Sequence, residues 1–287
     1  MSSFRSTLRI GDIGFAMESE REFRLSKRCE AFEAELDRPD VTIHLTQGTR
    51  DLSGSTAVFR AADCDVLRSG EETVTVRYAN ARKDQIVWYM RQTAPDAYEL
   101  MFAEGLSWAF TDLNPLFIFD LAEFLTGYDA MILHSSVIRL NGIAVAFTAP
   151  CQTGKSTQAD LWHRYKGAKI LNGDRGLIRR TADGYRIYGS PYAGSSGIYV
   201  NESAPLKALV VLKQAPYNRI CRLRGRQAYL HLISQISLSR WNKATVEKQT
   251  ELVLDLLGQV PVYLLECLPD QDAVETLYQE LEGQFNE

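Results

Sequence analysis

The sequence predicts an α/β (α+β) protein in two parts: a β-rich N-terminal domain over residues 1–128 and a mixed-sheet core with a phosphate loop over residues 129–287. Three observations predict it. Residues 141–148 read NGIAVAFT, a turn and a mostly apolar strand. A Gly-Lys-Ser-Thr loop follows, and then a helical pattern over 155–165. After Met131, strand-like apolar runs alternate with helical ones, as an α/β core requires. Before it, short runs of alternating polarity stand between Gly/Ser turns, as in a β-rich meander.

In the first part, residues 7–10, 41–45, 56–59, 72–78 and 85–90 read as strands, the clearest being ETVTVRY at 72–78. Turn signals at Ser53-Gly54-Ser55 and Ser69-Gly70 separate them. Residues 20–36 read as a short helix. His44, in VTIH, reads as structural rather than as a ligand. Residues 113–128, LNPLFIFDLAEFLTGY, predict a helix joining the two parts. Pro115 suits its first turn, Gly127 suits its end, and Phe117, Leu121, Phe124 and Leu125 share one face. This aromatic stripe reads as core packing.

In the second part, 133–140 is a strand turned by Asn141-Gly142 into the strand before the loop. The loop helix ends near Gly167. Residues 168–180 give strand, NGDR and strand, and 185–188 return after Ala182-Asp183-Gly184. A Gly/Ser-rich loop, GSPYAGSSGIYVN, spans 189–201. Residues 206–212 read as a buried strand and 226–238 as a helix. A second helix covers 242–257, with Asn242 as its cap. A strand at 261–265 and a helix at 270–285 end the chain.

Composition narrows the function. The chain has 45% apolar and 24% charged residues, ordinary for a globular protein, and a formal net charge of −4. That balance gives no reason for nucleic acid or an anionic membrane as partner. The densest basic run, RICRLRGR at 219–226, reads better as a solvated strand edge than as a binding site. The five cysteines are scattered and form no CxxC pair, which argues against a disulfide framework or a zinc site and for a reducing compartment. The N-terminal stretch lacks the apolar core of a signal peptide, and no run reaches the length of a membrane span. A cytoplasmic protein is expected.

The chemistry concentrates in Ala149, Pro150, Cys151, Gln152, Thr153, Gly154, Lys155, Ser156 and Thr157. Between a strand and a helix, backbone N–H groups of such a loop converge on phosphate. Gly154 allows close approach, the Lys155 ammonium reaches terminal phosphates, and the Ser156 hydroxyl can ligate Mg²⁺. The usual pattern has a second glycine where Ala149 stands, and Pro150 removes one N–H donor. The plainer alternative is a turn capped by Ser156 and Thr157, which leaves the flanking strand and helix unexplained. Asp174, in ILNGDR after the loop helix, falls at a strand end. From there its carboxylate can reach a metal held by Ser156 or take the proton of an attacking hydroxyl. Otherwise it is a turn residue after Gly173.

With these motifs in order, the chain resembles the C-terminal domain of HPr kinase/phosphorylase and the HPr-kinase-like serine kinases with a phosphoenolpyruvate-carboxykinase-like core. The resemblance covers roughly residues 131–287. It runs through a strand with His134, the loop APCQTGKST, the NGDR element and GSPYAGSSG, which looks like the loop of HPr-kinase-related proteins from peptide-modification clusters. It implies phosphate contacts from Lys155, a metal site of Ser156 and Asp174, and Asp174 as general base. His134 matches the family's active-site histidine; a packed or capping histidine remains the alternative. Arg226, after Gly225, looks like the family's phosphate-contacting arginine. Ser195, Ser196 and Gly197 are either a substrate loop or a plain connection. Two departures stand out. Arg175 replaces a second aspartate, which counts against a phosphorylase activity, and Cys151-Gln152 replaces the usual Ser-Gly.

The resemblance implies ATP and Mg²⁺ as cofactors and transfer of the γ-phosphate to a hydroxyl, most simply a serine. The acceptor would be a protein, a peptide or a small molecule, recognised or shielded by the N-terminal half. It also implies a homo-oligomer, although the family's hexamer is not required with a different N-terminal half. A non-catalytic nucleotide-binding regulator is the competing expectation. A phosphoenolpyruvate-forming carboxykinase would need metal ligands and an oxaloacetate-binding arginine that the chain does not supply.

Overall fold

The computed structural model describes residues 3–106, 108–115, 121–192 and 194–285. The chain divides into two compact units, Met1–Asp120 and Leu121–Glu287, each with its own eight-stranded mixed sheet.

The first unit contains β1 (Phe4–Ile10), β2 (Ile13–Ser19), β3 (Val41–Gln47), β4 (Thr56–Arg60), β5 (Cys64–Ser69), β6 (Glu72–Tyr78), β7 (Ile86–Ala94) and β8 (Ala97–Phe102). Their spatial order is β1-β2-β3-β8-β7-β6-β5-β4. β2, β3 and β8 run parallel to one another, β1 is antiparallel to β2, and β4 to β8 form an antiparallel meander. Alternation along the strands sorts the faces. Leu8, Phe15, Met17, Ile43, Leu45, Leu100 and Phe102 are buried. On the opposite face His44 is largely exposed, its Nδ1 3.5 Å from a Glu18 carboxylate oxygen. The helix expected over 20–36 does not form. A single 3-10 turn, Lys27–Phe32, stands there. The Arg24 and Ser26 N–H groups donate to Phe110 and Leu113 carbonyls, while Cys29 and Phe32 enter the core. Those distant partners use the backbone donors that a helix would need.

The second unit contains α1 (Leu121–Gly127), β9 (Ala130–Leu140), β10 (Ile143–Thr148), α2 (Lys155–Lys166), β11 (Lys169–Asn172), β12 (Arg175–Thr181), β13 (Gly184–Tyr188), β14 (Ser203–Gln214), β15 (Arg219–Leu223), α3 (Gly225–Ile233), α4 (Lys243–Gln259), β16 (Val262–Cys267) and α5 (Gln271–Phe285). α1 belongs to this unit because it packs on α4: the Gln249 amide donates to the Ala122 carbonyl at 2.8 Å, and the Asn242 amide to Glu123 at 2.6 Å. Phe117, expected on the same helical face, lies outside the described residues. Asn242 caps α4 through the Ala244 and Thr245 N–H groups, as its residue type favours.

Two long strands organise the sheet. The first half of β9 pairs with β12 and its second half with β10. β14 begins against β13 and continues parallel to β10 and β16. Strands β9, β12, β13, β14 and β10 thereby close on one another. Alternate residues of the central strands face opposite cores. Phe147, Val210 and Leu265 pack with Trp162 of α2 and with Leu277 and Leu281 of α5. Ala146, Leu209 and Val211 pack with Leu232 of α3 and with Leu252 and Leu256 of α4. Burying each large side chain is worth about 1.5–3 kcal/mol, so these two layers hold the strand ends in place. β15 is the sheet edge, and the basic run that begins with it is mostly solvated. Among the described residues, no helix is long and apolar enough to cross a membrane.

Candidate functional site

β10 ends at Thr148, whose hydroxyl donates to the His134 carbonyl at 2.9 Å and joins the neighbouring strand ends. The loop then turns into α2. Ala149 is buried in the core, while Pro150 and Cys151 face outward. The Thr153 hydroxyl closes the turn on the Pro150 carbonyl at 2.9 Å. Gly154 has φ 113°, and a Cβ there would meet nothing within 4 Å. Backbone conformation, not space, therefore demands glycine. Gln152 has φ 62°, a left-handed conformation that costs a non-glycine residue roughly 1 kcal/mol.

Lys155 begins α2 and is 8% exposed. Its ammonium donates to the Ala149 and Pro150 carbonyls at 3.0 and 3.3 Å. Burial pushes its pKa below the ordinary lysine value, while Cys151 and Asp174 pull the other way. The Ser156 hydroxyl lies 3.4 Å from the Gly173 carbonyl, facing the turn that carries Asp174.

That turn is built by Asn172, which is fully buried. Its carboxamide oxygen accepts from the Asp174 and Arg175 N–H groups at 2.9 and 2.6 Å. Its amide nitrogen donates to the Ser190 and Tyr192 carbonyls at 3.0 and 2.8 Å. The Ser190 hydroxyl in turn donates to the Arg175 carbonyl at 2.7 Å. Gly189 passes so close beneath Val200 that a Cβ would lie 1.9 Å from its carbonyl oxygen. Gly194 lies against Asp174 itself: a Cβ there would come within 2.8 Å of the aspartate Cβ and Cγ. Residues 189–192 and 194–200 are thus a clamp over the Asp174 turn.

His134 stands opposite Arg175 in the β9–β12 register, and its Nε2 is 3.4 Å from Oδ1 of Asp174. Arg175 Nε is 3.7 Å from the other carboxylate oxygen, and its guanidinium lies over the Tyr192 ring at 5.0 Å. The hydrogen bond from His134, and then the charges of Arg175 and Lys155, hold the Asp174 carboxyl below the usual carboxylate range despite partial burial.

His134, Cys151, Gln152, Gly154, Lys155, Ser156, Thr157, Gly173 and Asp174 line one cavity of about 360 Å³. A hydroxyl and a carboxylate on one wall are the hard oxygen donors that Mg²⁺ prefers, and the residues present fit that ion. Arg226 is not brought there. β15 runs antiparallel to β16, carrying the chain away from the loop end of the sheet, and Arg226 is exposed in the first turn of α3. The Ser196 hydroxyl accepts from the Ile198 N–H at 3.3 Å within its own loop, and Gly197 turns the chain at φ 66°. Neither lines the cavity, and the side chain of Ser195 lies outside the described set. The clamp residues Asn172, Ser190 and Gly194 belong to the NGDR and GSPYAGSSG stretches, but sequence reasoning gives them no role of their own.

No family model and no curated protein matches the chain. Among solved structures, the HPr(Ser) kinase/phosphatase from Coxiella burnetii is similar at 12% identity and a TM-score of 0.31, over 54% of this chain and 99% of that one. A likeness this distant carries no weight beside the side chains themselves.

Two outcomes follow from the charges. Lys155 has a depressed folded pKa, so its burial cost is fully present at neutral pH and fades only as pH rises through that value. Lys155→Met removes the titrating group and is expected to flatten the rise of unfolding free energy with pH across the lysine range in urea denaturation; an unchanged rise would contradict the assignment. Asp174 is the opposite case. Its depressed folded pKa adds stability above the unfolded value of about 4, and that stability is lost as pH falls through the folded value. Asp174→Asn is expected to flatten the fall of unfolding free energy below about pH 4, and an unchanged slope would contradict it.

Proposed function

We propose that this protein is an ATP-dependent kinase that transfers the γ-phosphate to a hydroxyl, in the simplest case a serine. The observation that carries this is one cavity lined by both Lys155 and Asp174, on a glycine loop at a helix start. The loop amides and Lys155 would offset charge on the β- and γ-phosphates. Asp174, ionised at neutral pH, would orient the acceptor hydroxyl and take its proton. The acceptor oxygen then bonds to the γ-phosphorus, and the bond to the bridging oxygen breaks to release ADP. In a loose transition state little proton removal is needed early, so a weakly basic carboxylate suffices. Bound Mg²⁺, held by Ser156 and Asp174, would supply charge neutralisation between the phosphates. His134 would orient the Asp174 carboxylate. A protein, peptide or small molecule would serve as acceptor, with the N-terminal unit in recognition; a homo-oligomer and a cytoplasmic location belong to the same proposal.

A non-catalytic nucleotide-binding regulator is the second reading, favoured by the missing Pro150 donor and the strained Gln152. Turnover decides between them. ADP release from labelled ATP, with candidate serine acceptors, is expected in the wild type. Asp174→Asn should keep ATP binding within a few-fold and lose turnover by at least about 100-fold. ATP binding by Lys155-dependent contacts, with no turnover that depends on Asp174, would establish the regulator instead.

A further inference from the structure

A second cavity of about 540 Å³ adjoins the first, and Gln152, Gly154 and Thr157 line both. Its remaining wall is largely apolar, with Leu212, Ala215, Leu268 and Pro269 from the ends of β14 and β16. That size and lining suit a flat heteroaromatic group. One polar side chain there is out of balance. Gln158 is 2% exposed and lines the cavity. Its amide nitrogen donates to Cys267 Sγ at 3.4 Å, while its carboxamide oxygen is buried without a hydrogen-bond partner. Burial raises the Cys267 pKa to about 11, so the thiol adds no charge at neutral pH. Buried acceptors without a partner are uncommon, which marks this oxygen as a group that a ligand or a water would satisfy.

We propose that this cavity holds the purine base of the nucleotide, with the Gln158 carboxamide oxygen accepting a hydrogen bond from its exocyclic amino group. The proposal rests on the ATP-binding reading above and adds the choice of base. One molecule would span both cavities, with phosphates at Lys155 and base at Gln158. An apolar wall supplies affinity, and the Gln158 acceptor supplies discrimination.

Calorimetric titration of the full chain tests it with three Mg²⁺-loaded probes: ATP, purine riboside triphosphate, which has hydrogen in place of the amino group, and tripolyphosphate. The wild type is expected to prefer ATP over purine riboside triphosphate by about tenfold, the worth of one hydrogen bond. Gln158→Leu should reduce that preference below about twofold, and Gln158→Glu, which retains an acceptor, should keep it. Ala215→Trp, at a half-buried position, should fill the cavity and weaken ATP by more than about tenfold, with tripolyphosphate within about twofold. Unchanged ATP affinity in Ala215→Trp, or equal affinity of the wild type for the two nucleotides, would overturn the base assignment and leave the kinase reading standing. If neither ATP nor tripolyphosphate binds the wild type, the nucleotide reading falls and the base assignment with it.

Discussion

The Asn172 carboxamide is the constraint on which the site depends. One fully buried side chain ties the Asp174–Arg175 backbone on one side and the 190–192 segment on the other. A buried amide with both ends paired is rigid, because each broken bond would leave a costly orphan. The turn therefore holds the carboxylate at a fixed place beside His134. Removing the amide oxygen would free the turn, and removing the amide nitrogen would free the clamp. Preorganisation of this kind is what a phosphate-handling site needs, since positioning supplies most of the rate in such chemistry.

The electrostatics of the same few residues pull stability and function apart. Lys155 is held in a setting that disfavours its charge, and Asp174 in one that favours its own. A buried ammonium satisfied only by two loop carbonyls is a poor arrangement for the protein alone, and a good one for attracting an anion. The Gln158 oxygen, buried beside an apolar cavity with no partner, is a second group of that type. Both stand on the first turn of α2, so one helix start carries the unmet charge and the unmet acceptor.

How far the sequence was legible depended on the range of the interactions. Gly154, Lys155, Ser156 and Thr157 form a local motif whose geometry is set by the strand before and the helix after, and it reads directly. Asp174 was readable because a strand end after the loop helix has few places to go. The roles of Asn172, Ser190 and Gly194 were not, although all three stand inside the NGDR and GSPYAGSSG stretches, because they act on residues up to 20 positions away. β2 was missed because IGFAMES is buried along nearly its whole length and shows no alternation. The expected helix over 20–36 failed for the reverse reason: its pattern was adequate, but tertiary partners took the donors. Arg226 was placed by its neighbour Gly225, and strand direction, which the local sequence does not encode, moved it away from the loop.

The most direct measurement is a crystal structure of the protein with Mg²⁺ and a non-hydrolysable ATP analogue. The terminal phosphate is expected to accept a hydrogen bond from Lys155, with the Asp174 carboxylate within direct or single-water reach of the position an attacking hydroxyl would take. A nucleotide bound with its terminal phosphate turned away from Asp174, or bound outside the loop at 149–157 altogether, would contradict it.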